Sequence, residues 1–267
     1  MNILVLGSSV VEQEIIKLCK KSKFLDRIYT ASNLPLKDVP NIEYKTFLEL
    51  CDKAKALQID ITLVADEMLI KDGIQEIFNK NLLNIITVNK KWFNLELSNI
   101  AAKQLSNFYS INIPQLLKVP LSFPVIIRTD KSKIVKIAHS MQELVDIKEG
   151  LQGECSFLED YLFGDVFHFL FLWDGKNLVV FTPNVQLTEV QIDRLELLKT
   201  KLCFMLSDEK ADFISFFTIK TVWSKNDWYV LDYYMRIEEH INSFNFNKDF
   251  MYILNLALYQ KLNELSK

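Results

Sequence analysis

The stretch WYVLDYYMR, Trp228 to Arg236, sets one carboxylate, Asp232, in an aromatic and β-branched run, with an arginine four residues on. Side chains alternate along a strand, so Asp232 and Tyr234 would point to one side and could face a cation together. Magnesium seeks hard oxygen ligands, which suits the carboxylate and suits a neutral phenol poorly. Further charged residues stand in other strand and turn strings: Arg128 in PVIIRTD, Glu159 in EDYLFG, Glu67 in DITLVADEMLIKDGI and Glu12 in GSSVVE. Arginine would offer phosphate a planar fork of donors.

These residues need elements to hold them. NILVLG is a continuous apolar run ending in Gly7, followed by VVEQEIIKLCKK, in which Val11, Ile15, Leu18 and Cys19 share a helical face; a buried strand, a turn and a helix are expected. RIYTAS, IEYKTF, ITLVAD and NIITVN then alternate with the helical stretches FLELCDKAKAL and KDGIQEIFNKN, the rhythm of βαβ units on a parallel sheet. KKWFNLELSNIAAKQLSNFYSINIPQ reads as one helix closing at SINIP. FPVIIRTD, KIVKIAHS, SFLEDYL and DVFHFLFLWDGKNLVVFTP supply mostly antiparallel strands, the last pair turning at Asp174-Gly175. The helix LTEVQIDRLELLKTKLCFML, strands DFISFFTIKTVWS and WYVLDYYMR around a KND turn, and a terminal helix complete the chain.

Composition narrows the partners. The formal charge is −3 and no basic tract could follow a phosphate backbone, which argues against nucleic acid. The opening MNILVLGSS has no basic leader, and no window holds the roughly 18 uninterrupted apolar residues that span a bilayer; a soluble, cytoplasmic protein with no membrane partner is expected. Cys19, Cys51, Cys155 and Cys203 form no CxxC pair, so buried thiols in a reducing compartment are expected. His139, His168 and His240 have no metal-ligand spacing. The chain has 6 glycines, about a third of the usual ~7% share, and glycine is what lets backbone wrap closely around phosphate. GSSVVE supplies one glycine of a dinucleotide fingerprint, and no P-loop or nucleophile elbow occurs.

The order and spacing of these stretches resemble the ATP-grasp ligases, most closely the phosphoribosylamine-glycine ligase (glycinamide ribonucleotide synthetase) family. Its G-S-G-G-R-E-H-A turn is similar to residues 7–14, with Gly7, Ser8 and Glu12 kept. Its D-L-x-V-x-G-P-E followed by G-I resembles DITLVADEMLIKDGI, keeping Asp60, Glu67, Gly73 and Ile74, with Ala65 and Asp66 at the glycine and proline. Its L-E-G-S-K helix and G-I-P-T turn resemble LELSN and SINIPQ, keeping Leu95, Glu96, Ser98, Ile113 and Pro114, with Asn99 at the lysine. P-V-V-I-K-A-D looks like PVIIRTD with Arg128 at the lysine, E-E-F-L-x-G-E-E looks like EDYLFGDV, and G-x-Y-V-L-E-F-N-x-R looks like DWYVLDYYMR. The resemblance implies an α/β fold in three parts: a Rossmann-like parallel-sheet domain at 1–90, a linker helix and small ATP-grasp lobe at 91–152, and a large, mainly antiparallel ATP-grasp lobe with the terminal helix at 153–267. It implies ATP and magnesium as cofactors, with Arg128, Glu159 and Leu162 toward the nucleotide, Asp232 toward the metal, and Gly7, Glu12, Glu67 and Arg236 toward a ribose-phosphate or amine substrate. No residue is assigned a catalytic role.

The departures point elsewhere. The family's G-L-A-A-G-K-G phosphate loop faces TDKSKIVKIA here, in which Lys131 and Lys133 read as a short solvated hairpin. The D-H-K-R and G-P-N-T-G-G-M-G segments face VVFTPNVQLTEVQID, the ribose carboxylate falls on Val166, and the second metal ligand falls on Tyr234. Asp232 is expected to pair with Arg236 or a lysine, and Arg128 to meet either a nucleotide or a surface ion pair. The family continues into a further lobe, whereas this chain ends at Lys267. The expectation is a degenerate family member with weak or no ligase activity, weak ATP and magnesium binding at most, and a binding, regulatory or partner-assembly role. An active ligase joining glycine to phosphoribosylamine and a ligand-free scaffold are the alternatives.

Overall fold

The opening apolar run forms β1 (Asn2–Leu6), central in a parallel sheet of order β2-β1-β3-β4 with β2 (Arg27–Ala31), β3 (Ile61–Val64) and β4 (Ile85–Ile86). Helices α1 (Val10–Lys20), α2 (Phe47–Ala56), α3 (Glu67–Lys71) and α4 (Ile74–Lys80) make the crossovers. Helices on both faces bury the strands, which is why the strands are mainly apolar. Ser9, Thr46 and Asp66 cap the first three helices with side-chain oxygens. The computed structural model describes residues 1–7, 9–32, 36, 38–238 and 241–265; Ser8 and His240 lie outside them. IEYKTF is not a strand: Thr46 is taken up in capping α2 and the Lys45 N–H binds the Glu49 carboxylate at 2.9 Å, so these groups serve the helix start and not a ladder.

The helix expected across 90–115 is two helices, α5 (Lys90–Leu97) and α6 (Asn99–Phe108). Ser98 breaks them apart in an extended conformation (φ −125°, ψ 114°), its hydroxyl accepting from the Ala101 N–H as N-cap of α6. The chain then builds a small antiparallel sheet, order β5-β8-β6-β7, from β5 (Leu116–Leu117), β6 (Val125–Thr129), β7 (Val135–Ala138) and β8 (Ser156–Asp160), backed by α7 (Met141–Gly150). Strand β8 lies past residue 152 and pairs with β6, setting Arg128 opposite Phe157 and Ile126 opposite Glu159.

The large antiparallel sheet, order β10-β9-β11-β12, comprises β9 (Asp165–Trp173), β10 (Leu178–Phe181), β11 (Ser215–Ser224) and β12 (Asp227–Tyr234), with α8 (Glu189–Asp208) and α9 (Phe250–Leu258). Alternation along β9 sends Phe169 and Phe171 into the cluster with Leu198 and Leu202 of α8, and Leu170 and Leu172 into the cluster with Met251 and Leu254 of α9. Leu4 and Leu6 of β1 join the first cluster, Ile3 and Val5 the second, so the parallel and large antiparallel sheets share their core. Gly164, between β8 and β9, has φ +152° and lies so close to the Trp223 carbonyl that a Cβ would overlap it, which explains that glycine without a ligand. The β11–β12 hairpin turns at Lys225 and Asn226, both left-handed (φ 51° and 57°). A bulge opposite Lys220 and Thr221 leaves Leu231 unpaired immediately before Asp232.

No helix among the described residues is long and apolar enough to cross a membrane. Cys19 and Cys51 are buried, but Cys155 is exposed and Cys203 half-buried, so burial does not account for all four thiols.

Candidate functional site

The small lobe's β6 and β8, helix α6 and strand β12 converge on four charges. Arg128 donates from Nε to Glu159 at 2.7 Å and from Nη1 to Asp232 at 2.8 Å. Behind it, Lys103 Nζ lies 3.1 Å from the other Glu159 oxygen and donates to the Val230 carbonyl at 3.2 Å. Arg128 and Lys103 are each 3% exposed and Glu159 is 0% exposed, while the half-buried Asp232 closes the set toward the cleft, giving a quartet of two cations and two anions with no net charge. Asp232 thus pairs with Arg128, not with Arg236 or a lysine, and Arg128 stands in an interior ion pair instead of on the surface.

Burial works against the Arg128 charge, but Asp232 and Glu159 outweigh it and hold the guanidinium pKa above its ordinary value. For Lys103 burial wins over Glu159, and its pKa is lowered. Buried charges of this kind persist only when paired, because their water has been stripped away.

A second knot lies beside the first. Arg236 donates from Nε to Glu96 at 2.8 Å, and its Nη2 lies 3.1 Å from Glu238 and 4.0 Å from Glu67. Glu96 also accepts from the Met235 N–H at 2.7 Å, tying α5 to the end of β12. Burial raises the Glu96 pKa despite Arg236. One guanidinium is therefore shared among three carboxylates.

Between these knots a cleft of about 430 Å³ is lined by Asp232, Tyr234, Asn99, Lys133, Lys131 and Lys220, with Glu67, Glu96 and Arg128 at its walls. Asp232 and Tyr234 do share a face, as alternation requires. Burial, with Asp232 and Glu238 nearby, pushes the Tyr234 phenol up to about 12, which keeps it a neutral and weak ligand.

The TDKSKI tip is the expected short hairpin between β6 and β7, with Lys131, Ser132 and Lys133 exposed, but hydrogen bonds dock it on α6. Asp130 accepts from the Ser98 hydroxyl at 2.8 Å and the Ile100 N–H at 2.9 Å, docking the tip on the start of α6. Thr129 and Ser132 hydroxyls meet at 2.6 Å, and the Thr129 N–H binds the Ile134 carbonyl at 3.0 Å. Lys133 has a left-handed backbone (φ 59°), costing about 1–2 kcal/mol in a non-glycine residue. Its ammonium turns into the cleft and donates to Asn99 Oδ1 at 3.0 Å. Burial lowers its pKa, with Asp232, Glu96 and Asp130 acting the other way.

The remaining expected residues scatter. Gly7 (φ 118°) and Glu12 lie at the start of α1, where the buried Glu12 carboxylate accepts from the Ser9 hydroxyl and leaves no space for a Cβ on Gly7. Leu162 sits in the β8–β9 connection, beside the edge-on Tyr161–Phe163 pair, and does not line the cleft. A larger cavity of about 610 Å³ next to the cleft brings Ser9 and Val11 from α1's start together with Tyr234, Arg236 and Phe244.

Lys103 was not anticipated. Its signal was the polar stripe Asn99, Lys103, Ser106 at helical spacing, which ordinarily marks a solvent face; here all three are buried, and Ser106 bonds the Tyr233 hydroxyl at 2.8 Å.

Neither implied cofactor fits this arrangement well. Among the described residues no group of three or more histidine, cysteine or acidic side chains could hold a metal, Asp232 is committed to Arg128, and Tyr234 is neutral. A triphosphate would find Arg128 already occupied and no glycine backbone in the hairpin to enclose it.

No protein-family model matches the chain. In sequence it is similar to the phosphoribosylamine-glycine ligase of Fusobacterium nucleatum, 26% identical over 207 residues covering 68% of this chain and 49% of that one. The ligase of the same name from Clostridium acetobutylicum is 23% identical across 99% of this chain and 76% of its own. In structure it resembles the phosphoribosylamine-glycine ligase of Thermotoga maritima, with a TM-score of 0.70 at 19% identity over 90% of this chain and 70% of that one. The chain has the ATP-grasp fold and is similar in sequence to the phosphoribosylamine-glycine ligases. The D-alanine-D-alanine ligase of Bacillus anthracis, solved with ATP, shares that ATP-grasp fold at a TM-score of 0.60 and 15% identity, over 99% of this chain and 95% of its own. The chain spans about half the length of the Fusobacterium ligase it matches.

Proposed function

We propose that this ATP-grasp relative binds a small anionic ligand between its lobes and does not carry out ligation. The observation that carries this reading is the neutral quartet Lys103–Glu159–Arg128–Asp232: Arg128, the cation the resemblance sets toward the nucleotide, and Asp232, the carboxylate it sets toward the metal, are paired with each other. Acyl-phosphate chemistry needs positive charge aimed at the transferring phosphoryl group and a metal bridging its oxygens. A group already engaged to an interior carboxylate offers less of either. The role left to such a site is to bind a metabolite and report it, with a protein partner as the natural recipient.

An active ligase joining glycine to phosphoribosylamine is the competing reading, favoured by the names of the sequence relatives. A coupled ADP-release assay with glycine, phosphoribosylamine, ATP and saturating magnesium separates the two. Release at background is expected; turnover that Asp232→Ala abolishes would establish the ligase instead.

A further inference from the structure

We propose that the interlobe cleft takes a single phosphoryl dianion on Lys133, and that Asp232 sets this choice by holding Arg128 away from longer polyphosphates. The inference rests on the binding-only reading above and gives it a ligand class. Among the described residues Lys131, Lys133 and Lys220 line the cleft without a carboxylate partner, and Lys133 alone of them is anchored, through Asn99. Its left-handed backbone, in a tip pinned at Asp130 and Thr129, aims that ammonium inward. Lysine is a compact point charge, suited to one tetrahedral anion and not to planar bidentate recognition.

The charge balance agrees. With Lys71, which also lines the cleft and pairs with Glu67, the lining carries five cations and three carboxylates, leaving two positive charges, against about −1.5 to −2 on a phosphomonoester at neutral pH. A metal-free triphosphate carries more charge and would have to displace Asp232 from Arg128 to be matched. A phosphomonoester, or phosphate itself, need not disturb the quartet.

The test is calorimetry on the full chain without metal, using inorganic phosphate, glycerol 3-phosphate and inorganic tripolyphosphate. Tripolyphosphate is expected to bind the wild type no more than threefold more tightly than the better of the two monophosphates. Lys133→Met, at an exposed hairpin position, should weaken that monophosphate at least tenfold with an unchanged melting temperature. Asp232→Asn, which removes the charge that pairs with Arg128, should raise tripolyphosphate affinity at least tenfold and monophosphate affinity less than threefold. A tenfold preference for the ester assigns the site to phosphomonoesters, and equal affinities assign it to free phosphate; both support the proposal. It is overturned if Lys133→Met leaves monophosphate binding intact, if Asp232→Asn raises all affinities alike, or if no monophosphate binds. Should Asp232→Asn fail to fold, the Lys133→Met result still decides the Lys133 assignment. ADP release in the ligase assay would instead defeat the binding-only reading, whichever anion the cleft prefers.

Discussion

Glu159 is the residue on which the quartet turns, because each of its oxygens faces a different buried cation. Glu159→Gln would leave Lys103 and Arg128 with one carboxylate between them, and removing one partner of a buried ion set costs about 3–5 kcal/mol. Urea unfolding should show a loss of that size, with Lys103→Met in the same chain restoring part of it; additive losses in that double variant would mean the two residues act separately. Glu96 titrates in the opposite sense from an ordinary paired carboxylate. Burial raises its folded pKa, so the folded chain holds that proton more tightly than the unfolded one. The resulting stabilisation is present below the ordinary carboxylate pKa and lost as pH rises through the raised value. Measured from about pH 4 to about pH 8, the stability of wild type relative to Glu96→Gln should therefore fall with rising pH; a rise would show that Arg236 outweighs burial. Asp232 was legible as a special carboxylate, since a lone acid in an aromatic strand is conspicuous. Its partner was not, because Arg128 lies 104 residues away and only the β6–β12 approach brings them together.

At the scale of elements, local signals were readable wherever one period dominated. The apolar run of β1, the alternating β9 and the turn residues of the β11–β12 hairpin each agree with the burial that the fold imposes on them. The misreadings fall where side chains compete for backbone groups. Ser98 looked like an ordinary helical residue, yet its hydroxyl caps α6 and also donates to Asp130, so it ends one helix and docks the next on the hairpin tip. Thr46 likewise diverts an apparent strand into a helix start. The hairpin itself carried the hardest message. Its lack of glycine was visible in the sequence, but not the hydrogen bonds that Asp130 accepts from α6 and that Thr129 shares with Ser132, nor the inward bond from Lys133 to Asn99. Composition could register the missing flexibility; only the contacts with α6 reveal what replaced it.

For the molecule as a whole, the three sheets are held very unequally. The parallel sheet and the large antiparallel sheet share two extensive apolar clusters, and a bridge from Thr87, just after β4, to Ile214, just before β11, joins them. The small lobe has a separate core of Val125, Ile127, Ala138, Leu144 and Leu158. Much of its attachment is polar: Arg128 to Asp232, Lys103 to Glu159, Asn99 to the Thr129 carbonyl, and Ser98 to Asp130. Regions with few buried apolar contacts open at lower free energy than the global unfolding, so the small lobe should behave as the least stable cooperative unit. Native-state hydrogen exchange is expected to show amides of β6, β7 and β8 exchanging faster than those of β9 and β11. Asp232→Asn removes an anchor that spans the lobes, and should accelerate exchange in the small lobe while leaving β9 and β11 as protected as before. Uniform acceleration across all three sheets would mean instead that Asp232 supports the whole fold and that the small lobe has no independent opening for a ligand to govern.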